Sequence, residues 1–245
     1  MFPLVHYFVN SQIYGSVPKL MVLGGLFPDI AAGAGWDRDK AHTMGADFHA
    51  WCGQNAPQAL PLARGIISHG TEPPGVDFHA DEFWPGYRKG WCFLVGEKYL
   101  DQVAQVTRLP QNLIWWKAHN FVEISYELIT DADHPQIKNQ LMAALEDHRA
   151  VTQAAAVLAD YIGLPRQDII SSFQNVPNIF AIDDISPERL AYKQNLAFMV
   201  RHGVMDADVK AMAELLEQMS RDLKPGYYPF CRLLIDFTAR VLAAY

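Results

Sequence analysis

Cysteine is scarce and scattered in this chain of 245 residues: Cys52, Cys92 and Cys231 lie far apart, and none stands in a C-x-x-C pair. Such an odd, dispersed set excludes a disulfide scaffold or a zinc knuckle built on thiolates, and the three are expected to be reduced, buried thiols. Basic charge is thin as well. The 20 Lys and Arg are outnumbered by 27 Asp and Glu, the net charge is -7, and no Lys/Arg-rich run occurs. The electrostatic footprint of a nucleic-acid-binding protein is therefore missing, and the surface is a poor match for an anionic membrane. No apolar run reaches the length of about 18–20 residues that a bilayer span needs. The opening MFPLVHYFVNSQIYG lacks a basic n-region and carries His6 and Asn10 inside its apolar stretch, unlike a secretory signal. These absences predict a soluble, cytoplasmic protein.

Several catalytic signatures are also missing. There is no His-Asp dipeptide of an HD-type phosphohydrolase, no H-E-x-x-H of a zincin and no G-x-x-x-x-G-K-[ST] phosphate loop. The Glu-x-x-His pairs of a di-iron carboxylate bundle are absent too.

Half of the residues are hydrophobic and 19% are charged, which is the composition of a chain able to bury a core. Strand alternation is nearly absent and helical periodicity dominates. Helices are predicted over 3–14 and 17–26, the second stopped by a Phe27-Pro28-Asp29 turn. Further ones follow over 37–55, 60–68, 91–106, 110–130, 135–162, 187–202, 206–222 and 227–244. Ser186 and Asp206 supply caps, and Gly163 and Gly203 supply C-terminal stops. Only Val176 to Ile182 has the character of a strand. The stretch 70–90, with Pro73, Pro74, Gly75, Pro85 and Gly86, is too long and irregular to be a mere connection, and reads as a lid or a binding wall. No repeat or linker divides the chain, so a single all-α domain is expected, with its chemistry in 1–130 and a helical remainder in 131–245.

That chemistry is read from the histidines. His6, His42, His49, His69, His79 and His119 all fall within the first 120 residues, interleaved with Asp29, Asp77, Asp81 and Glu123. This mixture of nitrogen and oxygen donors suits zinc, iron or manganese. His119 and Glu123 are four residues apart on a segment apolar almost all round, so they share a face of a buried helix. An isolated H-x-x-x-E equally describes a buried His–Glu hydrogen bond. Burial among tryptophans behind other His/Asp clusters tips this one toward a metal site, because a buried carboxylate needs a counter-charge. His69 and His79 flank an irregular loop, with Asp77 and Asp81 two residues either side of His79. On residue type alone Asp29 is a turn or capping aspartate, His6 a core histidine, and His49 a core residue or a neighbour of the site. Trp84, Tyr87 and Trp91 are candidate pocket walls.

Taken in order, these residues resemble the zinc-dependent phospholipase C family and its bacterial relatives of unassigned substrate, over roughly residues 3–130. The stretch Gly24-Gly25-Leu26-Phe27-Pro28-Asp29 is similar to the family's G-x-x-x-P-D segment. His42 follows at a fitting distance, Gly65-Ile66-Ile67-Ser68-His69 looks like the helix end that carries the next histidine, and His119 and Glu123 close the series. The resemblance implies a multi-helix domain of the phospholipase C/P1 nuclease type with two zinc ions, manganese or iron being the alternatives. It implies His42, His69 and Asp77 on one ion, His79, His119 and Glu123 on the other, His6 as the first family histidine, and Asp29 as general base. In the family an aspartate stands four residues after the helix-end histidine, where this chain has Pro73. Asp77 is the expected substitute, ahead of Glu72 and Asp81. Secreted members ligate a metal through an N-terminal tryptophan, whereas this chain begins Met1-Phe2, and no β-rich stretch follows its helices. The implied substrate is thus a small-molecule or lipid-derived phosphoester rather than intact membrane phospholipid. The competing readings are a helical interaction protein, and a relative that keeps the metal site without catalysis.

Overall fold

The computed structural model describes residues 2–245, so Met1 and its place in the family's N-terminal metal site lie outside the described residues. Thirteen α-helices make up one all-helical domain, and the described residues contain no strand beyond an isolated bridge between Trp84 and Tyr87. In chain order they are Pro3–Tyr14 (α1), Lys19–Ile30 (α2), Arg38–Thr43 (α3), Gly45–Asn55 (α4), Leu60–His69 (α5), Trp91–Gly96 (α6) and Leu100–Thr107 (α7). Then come Gln111–Asp133 (α8), Gln136–Leu145 (α9), His148–Ile162 (α10), Arg166–Phe180 (α11), Pro187–His202 (α12) and Val209–Leu242 (α13).

Most boundaries follow local chemistry. Asp37 caps α3 by accepting the N–H of Lys40 at 2.8 Å, and Ser186 caps α12 by accepting that of Arg189 at 3.3 Å. Gly163 and Gly203, with φ of 75° and 68°, close α10 and α12 in the left-handed conformation. Four expectations are corrected. The Phe27-Pro28-Asp29 turn is instead the last turn of α2. A proline removes one helical hydrogen bond, but Phe27 and Ile30 are almost fully buried, and their packing keeps the helix going. Val176 to Ile182 is no strand and lies largely in α11. The predicted helices 206–222 and 227–244 are one helix, α13, running through Pro225 and Pro229 and capped by Asp208, while Asp206 pairs with Arg108. The segment 135–162 is broken where Asp147 caps a new helix, α10.

The central contact is between α2 and α5. A methyl group on Gly65 would overlap the carbonyl of Met21 and stand 2.7 Å from the N of Gly25. The two helices therefore meet backbone to backbone, which only glycine permits. Across the core, α8 packs against α1, α6, α7 and α13. The Glu127 carboxylate of α8 accepts the N–H of Leu4 at 2.9 and 3.1 Å and that of Val5 at 3.4 Å. It serves as the missing cap of α1, whose own N-cap residue Phe2 offers no side-chain acceptor. No described helix is long and apolar enough to cross a membrane.

Candidate metal centre

Four side chains from four segments converge where α2, α3 and α5 end. Asp29 comes from the last turn of α2, His42 from α3, His69 from the final residue of α5 and Asp77 from the loop that follows. One donor atom from each lies within 4.8 Å of every other, so the group is able to hold a metal ion. His42 Nδ1 is 2.8 Å from the Arg38 carbonyl and His69 Nδ1 is 2.7 Å from the Gly25 carbonyl. A carbonyl only accepts, so both Nδ1 atoms carry the proton and both Nε2 atoms turn inward. These two Nε2 atoms are 3.3 Å apart. Asp77 Oδ2 lies 3.4 Å from the first and 3.1 Å from the second, while Asp29 Oδ1 lies 3.6 and 3.9 Å away.

His6 stacks on His69 at 3.9 Å and points Nε2 at Asp77 Oδ1, 3.2 Å away. Its place on α1 is fixed partly by Ser68, whose hydroxyl donates to Asn10 Oδ1 at 2.6 Å. Burial, with the charge of His69, lowers the His6 pKa to about 4. For His42 burial works in the same direction, but hydrogen bonds to Asp29 and Asp77 outweigh it and raise its pKa to about 9. Burial also opposes ionisation of Asp29, yet His69 and His42 hold its carboxyl well below the usual carboxylate range.

A second group gathers on the neighbouring side, where Asp81, Cys92 and Glu123 bring one donor each within 4.8 Å of one another. His119 sits one helical turn before Glu123, with its Nε2 3.9 Å from Glu123 Oε2. Asn120 ties the two together, its amide donating to Glu123 Oε2 at 3.0 Å and standing 3.1 Å from His119 Nε2. Burial and the adjacent Glu123 charge push the Asp81 carboxyl well above its ordinary range. Burial lowers the His119 pKa to about 4. The buried Glu123 carboxylate, the partly buried Asp81 carboxyl that resists ionising beside it, and a neutral imidazole form a site short of positive charge, the condition a divalent ion relieves.

His79, expected beside His119 and Glu123, belongs to neither group. Its ring stacks on Phe237 at 4.4 Å, in an apolar recess shared with Pro74, Phe78 and Phe83. The irregular turn Phe78–Glu82 explains the exchange, since residues two apart on a helical turn point to nearly opposite sides. With Asp81 turned toward Glu123, His79 turns away from the donors and is buried against Phe237. Asp77 joins the group of Asp29, His42 and His69, and Glu72 belongs to neither group. His49 packs against Tyr245 away from both groups, and Trp84 and Trp91 pack down on Phe230 rather than lining the site. All three cysteines are buried, and among the described residues no disulfide joins them. The approach of Cys92 to Glu123 carries no motif spacing, so sequence reasoning had no means to find it.

Asp29 of the first group and Asp81 and Glu123 of the second reach the wall of one cavity of about 320 Å³, together with His119, Arg38 and Lys117, whereas His42 and Asp77 line a separate recess. No family model, no curated protein and no solved structure matches this chain.

Proposed function

We propose that the chain is a metal-dependent phosphoric ester hydrolase of the zinc-dependent phospholipase C and P1 nuclease type, acting through a metal-activated water. One observation carries the reading: the triangle of His42 Nε2, His69 Nε2 and Asp77 Oδ2, with edges of 3.3, 3.4 and 3.1 Å. Tetrahedral zinc with ligands at about 2.0–2.1 Å has ligand–ligand edges of about 3.3–3.4 Å, so the three atoms stand at the spacing of one face of such an ion. Manganese and iron accept the same donor types.

His42, His69 and Asp77 would hold the first ion, with His6 bracing the far oxygen of Asp77. His119, Glu123 and Asp81 would hold the second, with Asn120 orienting the first two. Ions so held would supply a water acidified toward neutrality and positive charge for the phosphoryl oxygens.

The remaining roles fall to the chain. Asp29 is only partly buried and lies where the donor cluster meets the cavity, the position from which a carboxylate aligns a water and takes its proton. Its depressed pKa keeps it ionised. Arg38 Nη2 is 3.9 Å from Asp29 Oδ1 and also reaches the cavity, where it meets an anionic oxygen of the ester. The test is elemental analysis of the purified protein, followed by hydrolysis of bis(p-nitrophenyl) phosphate and p-nitrophenyl phosphate with zinc or manganese. Stoichiometric metal and turnover of an ester are expected. Protein that binds no metal sinks the reading.

A further inference from the structure

The cavity above the donor groups has a charge pattern that the metal centre does not use. Its carboxylates, Asp29, Asp81 and Glu123, all belong to the candidate donor groups, and its other charged walls are cationic: Arg38, Lys117, Lys193 and Arg201. In a chain of net charge -7 without a basic run, four cations around one opening depart from the background. They come from three helices, α3, α8 and α12. Lys117 precedes Asn120 and Glu123 by three and six residues on one row of α8. Lys193 and Arg201 lie with Gln194 and Ala197 on one stripe of α12, on another wall of the same cavity. Among the described residues no carboxylate lies within ion-pair distance of Lys117, Lys193 or Arg201, although the chain pairs many other cations. Phe180, Leu190 and Phe198 give the cavity an apolar side. Its volume of about 320 Å³ suits a small molecule rather than a polymer.

We infer that this cavity selects a small phosphoric ester carrying a second anionic group, a carboxylate or another phosphate, which Lys193 and Arg201 receive while the reacting phosphate faces the donor groups. The inference deepens the hydrolase reading and rests on it for the orientation of the ligand. Arg38, held beside Asp29, meets the reacting end. The α12 cations stand on a different helix and are free to meet the other, with the apolar side accommodating the spacer. Fixed cations in a partly enclosed cavity attract a second negative charge more strongly than the same residues exposed to bulk water.

The test compares 4-phosphonobenzoate with its neutral partner 4-phosphonobenzamide by calorimetry, on zinc-loaded and on metal-free protein. The carboxylate is expected to bind about tenfold more tightly, with the difference shrinking as salt is raised. Lys193→Gln with Arg201→Gln is expected to abolish the preference. Lys210→Gln, on an exposed turn of α13 beside Glu214, is expected to keep it. Equal affinities for the two compounds overturn the proposal, as does a preference that survives the double substitution. Absence of bound zinc alone reports instead on the hydrolase reading, and the carboxylate preference of the metal-free protein then decides the present one.

Discussion

The imidazoles of His42 and His69 face each other through their Nε2 atoms at 3.3 Å, each with its Nδ1 already given to a backbone carbonyl. Hydrogen bonds to Asp29 and Asp77 raise the His42 pKa to about 9, so in the metal-free protein its ring carries an extra proton at pH 7. An ion must displace that proton. Zinc uptake at pH 7 is therefore expected to release about one proton, measured by calorimetry in buffers of different ionisation enthalpy. Apparent affinity is expected to rise with pH up to about 9. Uptake without proton release would show that the ion binds elsewhere.

The same groups set the stability of the metal-free protein. His6 and His119, lowered from 6.5 to about 4, contribute stability that is present above 6.5 and lost as pH falls through 4. His42 is raised from 6.5 to about 9, so its contribution is full below 6.5 and lost as pH rises through 9. The depressed Asp29 steepens the acid side. Glu127, raised from 4.5 to about 8 by burial, loses its contribution over the same alkaline window. Denaturant midpoints in EDTA should therefore decline from about pH 6.5 to pH 9, with His42 worth a few kcal/mol at about 1.36 kcal/mol per pKa unit. Zinc should lessen the alkaline decline by the His42 share. A flat profile between 6.5 and 9 contradicts the arrangement around His42.

His69→Ala and His79→Ala separate the two groups of histidines. Losing His69 should strip the first metal and lower hydrolysis by at least about a hundredfold. Losing His79 should leave metal content and turnover within about twofold, because its ring packs on Phe237. Equal losses in both variants would return His79 to the centre.

Asp29→Asn should retain metal and fold while lowering kcat by about 10²–10⁴, the range of a positioned general base. Metal content by elemental analysis and kcat on the same preparation check both halves. Unchanged turnover removes Asp29 from the proton path.

Gly65→Ala puts a methyl group into the α2–α5 contact. It should destabilise the protein by about 1–3 kcal/mol and weaken metal binding too, because α2 carries the Gly25 carbonyl that fixes His69. Thermal melts with and without zinc read both effects. A variant that melts normally and binds zinc normally would show that the two backbones can move apart at no cost.

Much of this was legible in advance because it depends on short-range spacing. The all-helical class follows from periodicity. The shared face of His119 and Glu123 follows from a four-residue interval, and their burial from the apolar residues around them. The meeting of His42, His69 and Asp77 was expected from the order of motifs, and their distances agree with it. What stayed hidden depends on rotation about local axes. His79 and Asp81 exchanged roles because a single irregular turn decides which of two alternate residues faces inward, and both are plausible ligands by type. Pro28 was read as a stop, and a break was expected between 222 and 227, yet tertiary packing carries a helix through both places. Glu127 carried no signal either, since a carboxylate that caps another helix 123 residues away is defined by the fold and not by its neighbours in sequence.

The helix α13 bears on how the second donor group is enclosed. All the candidate donors precede residue 124, and the 34-residue helix that packs on α8 and α12 supplies none of them. Its Tyr227 and Phe230 rest on Tyr126, one turn beyond Glu123. A protein cut before α13 would keep every candidate donor, while α8 would lose the surface against which the turn after Glu123 packs.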